Sequence, residues 1–181
     1  MKTRVIRKAA ISPPRSRAMT RELHAVAARS IPSLDLVDSA RDAATQLLLQ
    51  CPTVIFTSGR RNVNQQASAM AGNVVRNRKW IEQTYLASPE RDALQAWVDA
   101  NPAAVTAPAI AAGLAGIMTG WTDAQRKKLS KHFSGQAFDI QPVAGPQGNA
   151  IKGAIRALPN LRKFLENEGG LIIWHAEFEK R

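Results

Sequence analysis

Ser130-Lys131-His132-Phe133-Ser134-Gly135-Gln136-Ala137-Phe138-Asp139 sets the terms for the rest of the chain. His132 and Asp139 stand seven apart, and Ser134-Gly135 between them lets the backbone turn sharply. Residues 136–143 read as a strand that carries Asp139. Far downstream, Trp174-His175-Ala176-Glu177 lies in a short apolar run, and residues 171–178 read as the last strand. Imidazole and carboxylate are both good Zn²⁺ ligands, and a catalytic zinc site uses three protein ligands with a fourth position kept for water or substrate. His132, Asp139 and His175 complete such a set. The chain has three histidines; the third, His24, sits in a basic segment and reads as a surface residue.

Upstream, Thr57-Ser58-Gly59-Arg60-Arg61-Asn62-Val63-Asn64-Gln65 follows a strand-like run at 53–57. A strand end that feeds a loop is a common place for site residues. In chain order, this arginine segment, His-x-x-Gly-x-Ala-x-Asp (132–139) and Trp-His-x-Glu (174–177) resemble the motifs of a known family. It comprises the zinc D-Ala-D-Ala carboxypeptidases and the phage L-alanyl-D-glutamate endopeptidases, or endolysins, which cut D-amino-acid-containing peptides of bacterial cell walls. The resemblance spans residues 57–177 and implies a hedgehog/D-Ala-D-Ala-peptidase-like zinc fold, with one Zn²⁺ on His132, Asp139 and His175. It also implies that Arg61 meets substrate or oxyanion charge and that Gln65 hydrogen-bonds the peptide; Ser130 and Ser58 are lesser contacts. Active members carry an acid three residues before the last zinc histidine as general base, and here that position is Ile172. Glu177, two residues past His175 and so on the same face of a strand, is the nearest acid and takes the catalytic assignment. Glu166 and Glu168 stand in reserve on what reads as the preceding helix.

With 181 residues, 45% of them hydrophobic, the chain suits one domain with a real core rather than a disordered polymer. Its formal net charge of +11 would draw it to nucleic acid, to an anionic membrane surface or to an anionic bacterial envelope. The zinc motifs point to the envelope. Cys51 is the only cysteine, which excludes an internal disulfide and a thiolate zinc finger. The first eight residues are basic, but the run from Ala9 to Arg15 is too short and too polar for the apolar core of a secretion signal. The expectation is a protein made in the cytoplasm that reaches the wall by another route, after holin action or inside a virion.

Residues 1–32 hold eight Lys/Arg against one acid and read as a basic arm, with a short helix at 17–29. Residues 33–181 form the zinc peptidase-like domain. Ser33 reads as the cap of a helix that ends at Pro52, and residues 62–80 read as helix with Gly72 interrupting it. Arg76, Arg78 and Lys79 lie beside Trp80, Tyr85 and Trp97, aromatics that anchor helices while the basic groups face water. A further helix is expected at 89–101. Residues 103–121 carry no charge and read as a packed hairpin or an interaction surface, since Pro and Gly break up any membrane span. Residues 72–122 form an insertion that the resemblance does not cover. Thr122 caps a basic helix over Asp123–Leu129, and residues 150–168 read as one helix distorted at Pro159. Helices on a small antiparallel sheet make an α+β domain.

The leading expectation is a peptidoglycan peptidase of phage or prophage type, an endolysin or a tail-associated enzyme. Its partners would be wall peptide, with an anionic envelope surface or phage tail proteins beyond it. A catalytically inactive zinc-binding module of a phage tail with the same fold is the alternative. Nucleic-acid binding rests on charge alone and ranks below both.

Overall fold

The computed structural model describes residues 30–180. The expected helix at 17–29, His24 and almost all of the basic arm lie outside the described residues. A 3₁₀ turn at Ile31–Leu34 leads to α1 (Asp38–Gln50), β1 (Phe56–Ser58), α2 (Val63–Arg76), α3 (Trp80–Thr84), α4 (Pro89–Ala100), α5 (Ala107–Thr119) and α6 (Asp123–Leu129). A second 3₁₀ turn, Lys131–Ser134, precedes β2 (Ala137–Ile140), α7 (Gly145–Arg156), β3 (Leu161–Glu168) and β4 (Leu171–Phe178). The fold is α+β, with one four-stranded antiparallel sheet in the order β1-β2-β4-β3 among the described residues.

Strand alternation explains the first core. Phe138 and Ile140 of β2 and Trp174, Ala176 and Phe178 of β4 share one face of the sheet. There they bury against Ala40, Ala44 and Leu47 of α1 and Ile151 and Ile155 of α7. Phe138 meets Phe56 edge-on at 5.2 Å, a geometry that aromatic quadrupoles favour, and packs against Phe178 at 4.9 Å with the planes tilted by 32°. The intervening residues, Asp139, His175 and Glu177, must then project from the opposite face.

A second core lies on that opposite side and is helical. Ala67, Met70, Ala71 and Val74 of α2 meet Ile110, Leu114 and Met118 of α5, with Trp80, Ile81, Leu94 and Val98 closing the cluster. Residues 110, 114 and 118 are one helical turn apart, so a single face of α5 supplies all three. A Cβ on Gly113 would sit 1.9 Å from the Trp97 ring, so this helix needs glycine where α4 crosses it. The charge-free stretch is thus a packed helix rather than a hairpin. Among the described residues no helix is long and apolar enough to cross a membrane.

Several expected elements change. Residues 150–168 are not one helix: α7 begins at Gly145 and ends at Arg156, and residues Leu161–Glu168 form β3. Asn160 adopts φ +59°, and Gly169 and Gly170, both at positive φ, close a two-residue turn that pairs β3 with β4. Pairing with β4 overrides the helix preference of Leu, Lys and Glu in that segment. Gly72 does not interrupt α2, because a side of the helix with nothing within 4 Å tolerates the missing side chain. Ser33 does not cap α1; its hydroxyl donates to the Ser30 carbonyl, and α1 starts five residues later, at Asp38. β1 starts at Phe56, and β2 stops at Ile140. The helices at Pro89–Ala100 and Asp123–Leu129 form as expected, the latter with Thr122 and Gln125 in a reciprocal capping box.

Candidate metal centre

Asp139 and His175 are direct cross-strand partners on β2 and β4, and the Lys131–Ser134 turn brings His132 over them. Ser130 starts that turn by accepting from the His132 N–H at 3.3 Å, and Gly135, at φ +71°, ends it. The three ligand atoms are His132 Nε2, His175 Nδ1 and Asp139 Oδ1. Their separations are 3.2 Å between the imidazoles, 3.2 Å from His132 to Asp139 and 2.8 Å from His175 to Asp139. A tetrahedral ion with bonds of about 2.0–2.1 Å holds its ligands roughly 3.3 Å apart, close to these spacings. All three residues are buried, and together they form a cluster that can hold a metal ion.

The far nitrogens show why lone pairs, not protons, face the centre. His132 Nδ1 lies 2.6 Å from the Gly59 carbonyl and donates to it. His175 Nε2 lies 3.3 Å from Glu177 Oε1 and donates in the same way. Metal-bound histidines are oriented by just such carbonyl and carboxylate partners. Gly59 is required here: a Cβ would fall 2.1 Å from the Leu34 carbonyl oxygen. Three acceptors that converge in a buried place demand a positive charge between them. A proton on His175 serves when no ion does. Burial lowers the His175 pKa, but the bonds to Asp139 and Glu177 outweigh it and raise it to about 10. Burial keeps His132 below its ordinary value. Burial opposes ionisation of Asp139 as well, yet the neighbouring His132 and Arg61 hold its carboxyl well below the usual range.

Arg61, not Arg60, faces the centre. Arg60 turns outward to Asp35 at 2.8 Å. The Arg61 guanidinium donates to Ser58 Oγ at 2.7 Å, to Gln66 Oε1 at 3.2 Å and to Asp139 Oδ2. It therefore clamps the Asp139 carboxylate with three of its five N–H groups engaged within the protein, and it also lines the cleft described below. Gln65 departs from expectation too. It sits at the third position of α2, where its side chain accepts from the Asn62 N–H while Asn62 caps the helix. Gln66, fully buried, is the glutamine that reaches the site. The pattern Asn-x-x-Gln ahead of a helix is a capping-box signature, so the sequence did carry the signal that Gln65 was committed elsewhere.

A cleft of about 630 Å³ opens over the centre, between the sheet and the helical core. Asp139, His132, His175, Glu177, Arg61 and Ser130 all line it. Met70, Trp80, Thr84 and Tyr85 form the facing wall, and Lys128, Lys131, Arg162 and Lys163 make it basic. Glu168 lines it as well, from the end of β3. Desolvation raises the Glu168 carboxyl above its usual value, with His175 pulling the other way. Glu166, by contrast, pairs with Lys152 at 2.9 Å and with Arg156, away from the cleft. Glu177 is held below its usual value: burial would raise it, but the His175 hydrogen bond and charge win. Glu177, expected as the catalytic base, lines the cleft and spends one carboxylate oxygen on His175 Nε2. No family model matches the chain, and no curated protein or solved structure matches it either.

Proposed function

We propose that the chain is a zinc-dependent peptidase that cuts a cell-wall peptide bond next to a D-amino acid, of the phage or prophage type. The observation that carries this reading is the buried His132–Asp139–His175 cluster, whose lone pairs converge at the floor of an open cleft. Two imidazoles and one carboxylate form a donor set that suits zinc and leaves a fourth position toward the cleft. Bound zinc would polarise the scissile carbonyl and lower the pKa of the attacking water.

The chain's own residues do the rest. Glu168 takes the proton from the attacking water and passes it to the leaving amine nitrogen. A carboxyl raised by burial is suited to this shuttle near neutral pH. Glu168 thus fills the role that Ile172 cannot. Glu177 and Gly59 keep the imidazoles in register, and Arg61 does the same for Asp139. The basic lip of the cleft would draw in the carboxylates of wall peptides.

Digestion of purified peptidoglycan by the zinc-loaded protein, with products read by mass spectrometry, tests this. New peptide ends that vanish in His132→Ala are expected, and their masses name the bond. Glu168→Gln is expected to lower kcat by about 10²–10⁴-fold with zinc content unchanged. A metal-binding module without turnover is the second reading. It is favoured by Ile172, apolar and 72% exposed where active members of the family that the motifs resemble carry an acid. Stoichiometric zinc with no product would establish it.

A further inference from the structure

Arg61 is anchored on Asp139, Ser58 and Gln66, and a carbonyl oxygen that gains charge in the cleft is better held by a second, neutral donor beside it. We propose that Tyr85 is a catalytic residue whose phenolic O–H donates to the oxygen of the scissile carbonyl. The proposal rests on the peptidase reading and adds to it a residue from the segment that the sequence motifs leave unexplained.

Three observations carry it. Gln66 Nε2 donates to the Tyr85 oxygen at 3.0 Å, while the Gln66 carbonyl oxygen is occupied by Arg61 at 3.2 Å. The amide orientation is therefore fixed from the metal side, and the phenol oxygen accepts rather than donates in this contact. Among the described residues no acceptor takes the Tyr85 proton, and the side chain lines the cleft that holds Asp139 and His175. The ring is also held in place. Trp80 packs against it edge-on, with centroids 5.7 Å apart and planes at 87°. Trp80 is anchored in turn by its indole N–H, which donates to the Glu168 carbonyl at 3.0 Å.

A fixed donor with an uncommitted proton in a desolvated cleft is the arrangement that stabilises developing negative charge. The surrounding burial keeps the phenol protonated, as does the neighbouring Glu168 charge. Arg61 and Gln66 thus form a chain of hydrogen bonds from the Asp139 carboxylate to the phenol, with Ser58 holding the Arg61 guanidinium from the side. The helical segment roofs the cleft and also completes its chemistry.

Tyr85→Phe keeps the ring and its contact with Trp80, so zinc content and unfolding should match wild type. On the peptide bond that digestion identifies, kcat is expected to fall about 100-fold, with KM little changed. The phosphinate analogue of that bond should bind the variant weaker by a similar factor. Tyr85 is the only tyrosine in the chain, so ring-carbon labelling gives a single resonance. That resonance should shift when the phosphinate binds. A variant that turns over and binds the phosphinate as wild type does, or a resonance that stays put, overturns the Tyr85 assignment alone. A zinc-loaded wild type that releases no peptide overturns the peptidase reading, and the Tyr85 role falls with it.

Discussion

Each imidazole of the centre is gripped by its far nitrogen, His132 by a backbone carbonyl and His175 by a carboxylate. The two grips differ in what mutation can remove. Glu177→Gln weakens the one on His175, and zinc affinity is expected to fall about 10–100-fold by competition with a chelator. The loaded variant should lose far less turnover than Glu168→Gln, which separates an orienting carboxylate from a base. Protons report on the same place. In the metal-free protein His175 titrates at about 10, above the ordinary imidazole value of about 6.5. Its contribution to stability is then fully present below about pH 6.5 and is lost as pH rises through about 10. Zinc must displace that proton, so loading near neutrality should release about one proton and tighten about tenfold per pH unit. Calorimetry in buffers of different ionisation heat measures the release, and equilibrium unfolding across that range measures the stability.

At the level of elements, the β3–β4 hairpin joins the centre to its roof. Gly169 adopts φ +52°, and a Cβ there would lie 2.3 Å from the Trp80 ring; the Asn77 side chain donates to its carbonyl. Gly169→Ala is expected to cost about 1–3 kcal/mol from the backbone strain alone, read by urea unfolding. It should also lower kcat, because Glu168 is the neighbouring residue. This hairpin marks where the sequence was legible and where it was not. The cluster of His132, Asp139 and His175 was readable because these residues fall on a glycine turn and on core-flanked positions of apolar strands, patterns set by local geometry. β3 was not, because Leu161 to Glu168 is rich in the helix formers Leu, Arg, Lys and Glu and becomes a strand through pairing with β4. Gln66 and Tyr85 were missed for a related reason. Only packing between α2 and the end of α3 brings them together, nineteen positions apart in the chain.

Across the whole molecule, the two hydrophobic clusters share no buried residue, and the cleft lies between them. His132, Asp139 and His175 come from the sheet and its adjoining turn, while Tyr85 and Trp80 come from the helical side. Leu114→Ala, in the helical core, is expected to destabilise the protein by about 2–5 kcal/mol. Because no metal ligand belongs to that core, the folded variant should bind zinc as wild type does while kcat drops, measured by zinc titration and turnover under native conditions. The charge-free α5 gains a wider meaning from this arrangement. Its small residues let α2 and α4 settle closely around it, so the helices form one packed block that rests on the sheet through Leu171 and Ile173. Such a block is a natural unit of exchange: grafting another helical roof onto the same sheet would leave the His132–Asp139–His175 cluster in place and change the wall that faces it.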